Sequence, residues 1–173
     1  MSEDRERAMR LVERWVTAYQ PVVYRAAYLI LRDTSSAEDV AQETFMRAFR
    51  AAHRADPGEG VRAWLYRIAV NTALNEVRRR KRETAALGRA RPMNVAADPS
   101  DSSDNAAVVG DAIERLPDRL RVAVVCKYFL DLSEREIAHV LKIRPGTVKS
   151  RLHEARRLLA GDDVLAVAAG AGG

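Results

Sequence analysis

The stretch LSEREIAHVLKIRPGTVKSRLHEARRLL, from Leu132 to Leu159, predicts two helices joined by a tight turn. Ser133 and Glu136 form an S-x-x-E capping box, which satisfies two unpaired N–H groups where a helix begins. Pro145-Gly146 then redirects the chain, and proline is tolerated in the first turn of the helix that follows. That second helix has one apolar side, made of Val148, Leu152, Ala155 and Leu159.

The other sides of this second helix are mostly basic and polar, as in a helix-turn-helix. They carry Lys149, Ser150, Arg151, His153, Glu154, Arg156 and Arg157. In that motif the first helix supports the second, whose N-terminal residues reach base edges while basic side chains bind phosphates. A helical hairpin with a solvated basic side is the alternative, because short helix-turn-helix patterns also match unrelated proteins.

Composition limits the class of protein. The chain has 173 residues, enough for one ordinary domain or two small ones, and basic residues exceed acidic ones by 29 − 24 = 5. That excess suits a polyanionic partner without proving one. The single cysteine, Cys126, lies in an apolar run and excludes an intrachain disulfide. No apolar run approaches the ~20 residues of a membrane span, and the charged opening MSEDRERAMR is unlike a signal peptide, so we expect a cytoplasmic protein.

Apolar spacing predicts four helices in the N-terminal half. The first runs from Asp4 to Tyr19, and a second, apolar over most of its surface, runs from Pro21 to Leu31. The third opens with a capping box, Ser35 to Glu38, and leaves an outer face that is acidic at its start. The fourth runs from about Val61 to Arg82 and ends in five basic residues, which favours nucleic-acid contact over a merely solvated face.

The composition changes after the fourth helix, which suggests two domains. Residues 84–107 are rich in Ala, Ser, Asp and Pro without a sustained apolar period, as expected of a flexible linker. Beyond it we expect a short helix ending at Leu116, a helix capped by Asp118 that runs to about Leu130, and the helix-turn-helix. The predicted fold is all-α, with domains at 1–83 and 108–161, the linker between them and a tail at 162–173.

The sequence shows no metal-ligand cluster or catalytic motif at a recognisable spacing. His53, His139 and His153 are dispersed, without acidic or Cys neighbours at ligand spacing. There is no Gly-rich phosphate loop, and no nucleophile–base pair follows from spacing. We therefore expect no metal, no cofactor and no enzymatic activity.

Three stretches, in this order, resemble the extracytoplasmic-function (ECF, group 4) sigma factors of bacterial RNA polymerase, within the sigma-70 family. SAEDVAQETFMRAFRA (36–51) is similar to the D-A-E-D-L-x-Q-E-x-F signature, and RAWLYRIAVNTALNEVRRRKR (62–82) to W-L-x-x-I-A-x-N-x-x-x-D-x-x-R-R. The region from Ile113 onward resembles region 4, including L-P, E-I-A and G-T-V-K-S-R-L. Together they span the chain between about Tyr19 and Leu159.

The resemblance implies a sigma factor that binds core RNA polymerase, recognises −35 and −10 promoter elements, assists −10 melting and is held in check by an anti-sigma factor. The expected polymerase contacts are the β′ clamp helices and the β flap. The clamp-binding residues would be Asp39, Gln42, Glu43 and Met46. On its own, this face is equally typical of a well-capped surface helix.

The resemblance also assigns DNA-binding residues. The −10 element and its backbone would contact Asn71, Asn75, Arg78 and Arg79, while the loop from His53 to Gly60 would capture a flipped base. The −35 duplex would contact Thr147, Lys149, Ser150, Arg151, His153, Glu154 and Arg157. By chemistry Lys and Arg suit guanine edges or phosphates, and Glu154 could accept from a cytosine amine. Thr147 is also a possible helix cap.

One departure concerns the fourth helix, where the family commonly has Asp and this chain has Asn75 or Glu76. Two rival functions also remain. A stand-alone helix-turn-helix regulator would bind DNA without polymerase, but the basic fourth helix and acidic third-helix face are not required of a sensor. A helical adaptor that binds only protein would not require the basic second helix of the helix-turn-helix.

Overall fold

The computed structural model describes residues 3–52, 60–89 and 104–160, and these residues are helical with short connections and no β-strand. The predicted all-α class is therefore confirmed. The helices are α1 (Glu3–Leu31), α2 (Thr34–Ala52), α3 (Val61–Leu87), α4 (Asp104–Glu114), α5 (Asp118–Val124), α6 (Glu134–Leu141) and α7 (Pro145–Leu159). A π-helical turn, Val125–Phe129, continues α5. Residues 53–59 of the predicted flipped-base loop (53–60), residues 90–103 of the predicted linker (84–107) and the predicted tail (162–173) lie outside the described residues.

The N-terminal unit consists of α1, α2 and α3, which pack around one apolar core. The prediction that Pro21 starts a new helix is wrong, because α1 continues through it. An internal proline removes one backbone hydrogen bond, but the rings of Trp15 and Tyr19 pack on α3 before Pro21, and Val23 is fully buried after it. Packing on both sides therefore holds one helix across the proline.

The connection between α1 and α2 is capped by a residue other than the predicted one. Arg32 has a left-handed φ of 52° and ends α1. The buried Asp33 then accepts a hydrogen bond from the backbone N–H of Ser36 (2.7 Å), as an N-cap aspartate does. The predicted capping box of Ser35 and Glu38 is therefore wrong, since Ser35 already lies inside the first turn of α2.

Helices extend into the predicted linker from both ends. α3 continues past Arg82 to Leu87, where Gly88 adopts a left-handed φ of 67° and its N–H bonds Thr84 O. Glycine takes this conformation without the strain that a Cβ would add. At the other end, α4 begins at Asp104, ahead of the predicted start of the second domain.

The C-terminal unit consists of α4 to α7, with Leu120, Ile137 and Val148 fully buried among its helices. The Ser133–Glu136 capping box is confirmed, with Glu136 N to Ser133 Oγ at 3.2 Å and Ser133 N to Glu136 Oε2 at 2.7 Å. The four predicted apolar residues of α7 are all buried. The predicted single helix from Asp118 to Leu130 is wrong in part, because its second half is the π-helical turn, and Pro117 rather than Asp118 is the N-cap of α5.

The two units pack against each other along one continuous apolar core. Arg32, whose side chain is only 7% exposed, reaches Glu114 (3.3 Å) and Asp111 (3.4 Å) of α4. Arg121 of α5 donates in return to Ile30 O at the end of α1 (3.1 Å). The contact between α1 and α4 is so close that a Cβ on Gly110 would lie 2.7 Å from Arg32 Nη1.

A second set of contacts joins α3 to the helix-turn-helix. Arg62 donates to Leu130 O (3.4 Å), and Arg67 donates to Nε2 of His139 on α6 (2.8 Å). Farther along α3, Lys81 pairs with Asp118 of α5 (2.9 Å). The first helix of the helix-turn-helix therefore lies against the N-terminal part of α3.

Candidate polymerase and promoter interface

The outer ridge of α2 separates two grooves. Gln42 and Met46 line a largely apolar groove of about 900 Å³ between α1 and α2, together with Met9, Phe45 and Phe49. Met46 is 45% exposed, which is unusual for a large apolar side chain in a packed helix. An apolar groove beside polar side chains is typical of a surface that binds a helix.

The opposite side of the α2 ridge faces α3 across a polar groove of about 380 Å³. Asp39 and Glu43 line it from α2, and Asn75 and Arg79 line it from α3. Two residues of the predicted polymerase site and two of the predicted −10 site are thus brought to one groove. Glu43 also pairs with Arg47 one turn along α2, with Nε and Oε1 2.6 Å apart.

Glu76 organises the basic end of α3. Its Oε1 accepts from Arg79 Nη2 (2.6 Å) and Arg80 Nε (3.0 Å), and its Oε2 accepts from Arg79 Nε (2.7 Å). Hydrogen bonds from Arg79 are the main cause that lowers the pKa of Glu76. The same bonds raise the pKa of Arg79, which also pairs with Glu83. Where the family commonly has Asp and this chain has Asn75 or Glu76, the Glu76 carboxylate therefore binds two arginines.

Arg80 points inward although it lies in the middle of the basic run. It donates to Leu31 O (3.0 Å) and Ser36 Oγ (2.5 Å), and its Nη2 lies 3.5 Å from Asp33 Oδ1. Its side chain is only 17% exposed. Arg80 thus ties α3 to the corner between α1 and α2. In contrast, Asn75 and Arg78 are exposed and joined by a 3.0 Å hydrogen bond, with Asn71 half-buried one turn earlier.

The predicted −35 residues lie along α7. Lys149, Ser150, His153 and Arg157 are exposed, whereas Thr147 and Arg151 are half-buried. Arg144, with extended backbone, precedes Pro145 as the N-cap, so Thr147 lies inside the helix and is not its cap. Ser150 Oγ donates back to Thr147 O (3.1 Å), and Lys149 Nζ is 3.9 Å from Glu134 of α6.

Glu154 differs from its neighbours on α7, because both of its carboxylate oxygens are engaged. Arg119 of α5 donates through Nη1 to Oε2 (3.0 Å) and through Nη2 to Oε1 (2.9 Å). This is the bidentate geometry in which a guanidinium matches a carboxylate.

Comparison with known proteins places this geometry in a family. Residues 15–83 match Sigma-70 region 2, and residues 107–159 match Sigma-70, region 4. The ECF RNA polymerase sigma factor SigW of Bacillus subtilis is 33% identical over 157 residues, covering 83% of this chain and 84% of that protein. The RNA polymerase sigma-H factor of Pseudomonas aeruginosa is 32% identical over 170 residues, covering 87% and 84%.

The chain belongs to the ECF sigma factors. Its fold also resembles that of the sigma factor RpoE in complex with the anti-sigma factor NepR from Bartonella quintana, with a TM-score of 0.73 and 24% identity over 85% of this chain and 92% of that one. CnrH in complex with the cytosolic domain of CnrY gives a TM-score of 0.64 at 24% identity, covering 92% and 96%.

Sequence reasoning missed several residues that shape these surfaces of the sigma factor. The pairing of Glu76 with Arg79 and Arg80 could have been found, since residues three and four apart meet on a helix. The inward path of Arg80 and the pairing of Arg119 with Glu154, 35 residues apart, carry no such local signal.

Within the described ranges, no helix is long and apolar enough to cross a membrane, and no cluster of three or more His, Cys, Asp or Glu side chains is arranged for a metal ion. Cys126 is fully buried, and burial raises the pKa of its thiol to about 12, which keeps it protonated and unreactive. Both matched families are regions of sigma factors, which are DNA-recognition subunits of RNA polymerase and not a catalytic family.

Proposed function

We propose that this sigma factor binds core RNA polymerase through the outer ridge of α2 and directs it to promoters through α3 and α7. Asp39, Gln42, Glu43 and Met46 contact the β′ clamp helices, and the C-terminal unit contacts the β flap. The protein carries no reaction of its own and acts in the cytoplasm with the polymerase. The observation that supports this most is the presence of two separate polar surfaces, on α3 and α7, in a chain of the ECF family.

The −10 and −35 residues divide between these surfaces. Asn71, Asn75 and Arg78 of α3, with Arg79 at the edge of the groove, contact the −10 element and its backbone. Thr147, Lys149, Ser150, Arg151, His153 and Arg157 of α7 contact the −35 duplex, in which the major groove admits a helix. The domains are 1–83 and 108–161, joined by the segment 84–107.

Promoter binding requires the two units to separate. The −35 and −10 elements lie about 25 base pairs apart, or roughly 85 Å of B-DNA. A compact chain of this length has a radius of gyration of only about 16 Å, so the packed arrangement cannot reach both elements together. In the packed form α6 also covers the N-terminal part of α3, beside Arg62 and Arg67. The packed arrangement is therefore a form of the free protein, and an anti-sigma factor would act by retaining it or by covering the α2 ridge.

Promoter-specific transcription in vitro tests the proposal. Purified bacterial core polymerase is supplied with a library of promoter fragments, with and without this protein. Initiation that depends on the protein would establish the function and give the −35 and −10 sequences. Tight DNA binding without polymerase, alongside no stimulated initiation, would instead indicate the stand-alone regulator and withdraw the roles of Asp39, Gln42 and Glu43.

The α2 ridge can be tested separately. Replacing both Asp39 and Glu43 by lysine should weaken binding to core polymerase while leaving −35 binding by the C-terminal surface intact, because α7 lies in the other unit. Loss of both activities together would show that the substitutions disturb the fold instead.

A further inference from the structure

In the proposed promoter complex Glu154 lies on the side of α7 directed at DNA, but both oxygens of its carboxylate are already hydrogen-bonded. Residues three and four apart share one side of a helix, so Glu154 lies one turn beyond Ser150 and Arg151. Both of its oxygens accept hydrogen bonds from Arg119, at 2.9 and 3.0 Å. A carboxylate held in this way is poorly placed to accept a further hydrogen bond from a cytosine amine.

The pair also changes the charge that α7 presents to DNA. An unpaired carboxylate on this side would repel the phosphates, whereas a carboxylate paired with a guanidinium is largely neutralised. A guanidinium has five N–H groups, and the bidentate pair uses two of them. The side chain of Arg119 is 52% exposed, so N–H groups remain available for another acceptor.

The element that carries Arg119 indicates which acceptor this is. Arg119 lies in the first turn of α5, beside the recognition helix rather than on it. In helix-turn-helix proteins the recognition helix reads base edges, and most of the remaining protein–DNA hydrogen bonds go to the sugar–phosphate backbone. A guanidinium held at the margin of α7 is therefore suited to a phosphate that flanks the −35 element.

We infer that Arg119 is a further promoter contact, which donates to a backbone phosphate of the −35 duplex. Glu154 is a positioning residue that holds the Arg119 guanidinium and does not read a base. This inference rests on the proposed function, since it assumes that α7 lies on the −35 element. It replaces the sequence-based role of Glu154 as an acceptor from cytosine.

The test measures promoter affinity of the reconstituted holoenzyme across a range of salt concentrations. Arg119→Ala should weaken binding about three- to tenfold on every promoter variant alike and lower the salt slope by about 1, as expected for the loss of one phosphate contact. Arg14→Ala, which removes the same charge from an exposed position on α1, is the matched control and should change neither quantity. The double variant R119A/E154A should bind no more weakly than R119A.

Base preference separates the two roles of Glu154. Glu154→Ala should leave the preference at each −35 base pair unchanged, because the side chain acts through Arg119. Relaxed discrimination at one base pair in Glu154→Ala, or an affinity and salt slope of Arg119→Ala equal to those of Arg14→Ala, would overturn the inference. Initiation by wild-type holoenzyme is scored in the same reactions, so failure of the proposed function is seen independently of any effect at Arg119.

Discussion

Two basic surfaces of this sigma factor, the end of α3 and the length of α7, look alike in sequence but differ in what their cations contact. In α3, Arg79 and Arg80 are engaged by carboxylates, and Arg80 is directed into the protein. In α7, Lys149 and Arg157 are exposed, with the closest carboxylate to Lys149 at 3.9 Å. A run of basic residues therefore does not by itself define a nucleic-acid surface.

The difference arises from where acidic residues lie relative to each run. Glu76 and Glu83 flank Arg79 at a spacing of three and four residues, which places them beside it on the helix. Asp33 approaches Arg80 from the corner between α1 and α2. If α3 contacts DNA as proposed, the exposed Arg78 and Arg82 would contribute most of the charge it offers, whereas Arg80 stabilises the unit that presents it.

The largest effect is expected on the overall dimensions of the protein, when the ion pairs between Arg32 and α4 that join the two units are disrupted. Replacing both Asp111 and Glu114 by lysine places like charges beside the buried Arg32, so the units should separate. Small-angle X-ray scattering should show a radius of gyration several ångströms above the roughly 16 Å of a compact chain, with helical content unchanged. Replacing Glu3 and Glu6 by lysine gives the same change of charge at exposed positions of α1 and should leave the radius unaltered. An unaltered radius in both variants would show that these ion pairs do not hold the packed form.

Within α3 itself, Arg78 and Arg80 provide a matched pair of substitutions. Arg80→Ala leaves the buried Asp33 and the half-buried Glu76 without this partner, and we expect a loss of about 2–4 kcal/mol in the free energy of unfolding. Arg78→Ala removes an exposed side chain and should change it by no more than about 0.5 kcal/mol. Denaturant unfolding measures both. Equal stabilities would show that Arg80 is not structural, and the distinction between the two kinds of arginine in α3 would be withdrawn.

The sequence predicted features that depend on neighbours a few residues apart. The capping box at Ser133, the apolar side of α7 and the exposed positions of Asn75 and Arg78 all follow from helical spacing. These features recur wherever the local pattern recurs, because their causes lie within one or two turns of a helix.

Features that depend on tertiary packing were not predicted. The continuity of α1 through Pro21 results from the rings and apolar side chains that pack on either side of it. Contacts from Arg32 to α4 and from Arg121 to Ile30 O join residues 79 to 91 positions apart. No periodicity within a helix records such distant partners, so sequence reasoning left the arrangement of the units open.

The proposed base contacts of α7 can be tested with Arg151→Ala, which changes a half-buried side chain. If Arg151 makes a good base contact, the variant should lose about 1–3 kcal/mol of binding to the −35 duplex and relax discrimination at one base pair. Its effect should thus depend on sequence, unlike the uniform loss expected for a phosphate contact. Competition binding with single-base variants of the −35 element measures this. Unchanged binding would remove Arg151 from the −35 site.

The smallest effect is expected on the free energy of unfolding when the cap of α6, the helix that supports α7, is changed. This effect depends on pH. A backbone hydrogen bond from Ser133 is the main cause that lowers the pKa of Glu136 below its ordinary value of 4.5. A lowered pKa in the folded state stabilises the protein above the unfolded-state value, and this contribution is lost as the pH falls through the folded-state value. Ser133→Ala should reduce the free energy of unfolding by about 1 kcal/mol near neutral pH.

Glu136→Gln isolates the contribution of the carboxylate. We expect the stability difference between wild type and Glu136→Gln to be constant above about pH 4.5 and to shrink at lower pH, as the carboxylate of the wild type becomes protonated. Glu134→Gln is the control, because Glu134 lies in the same first turn, contributes no side-chain hydrogen bond to the cap, and its 3.9 Å ion pair with Lys149 is exposed to solvent. A difference for Glu136→Gln that does not vary with pH would show that the charge of Glu136 does not stabilise α6. In that case the support of α7 would come from the buried residues Ile137, Ala138 and Val140 of α6.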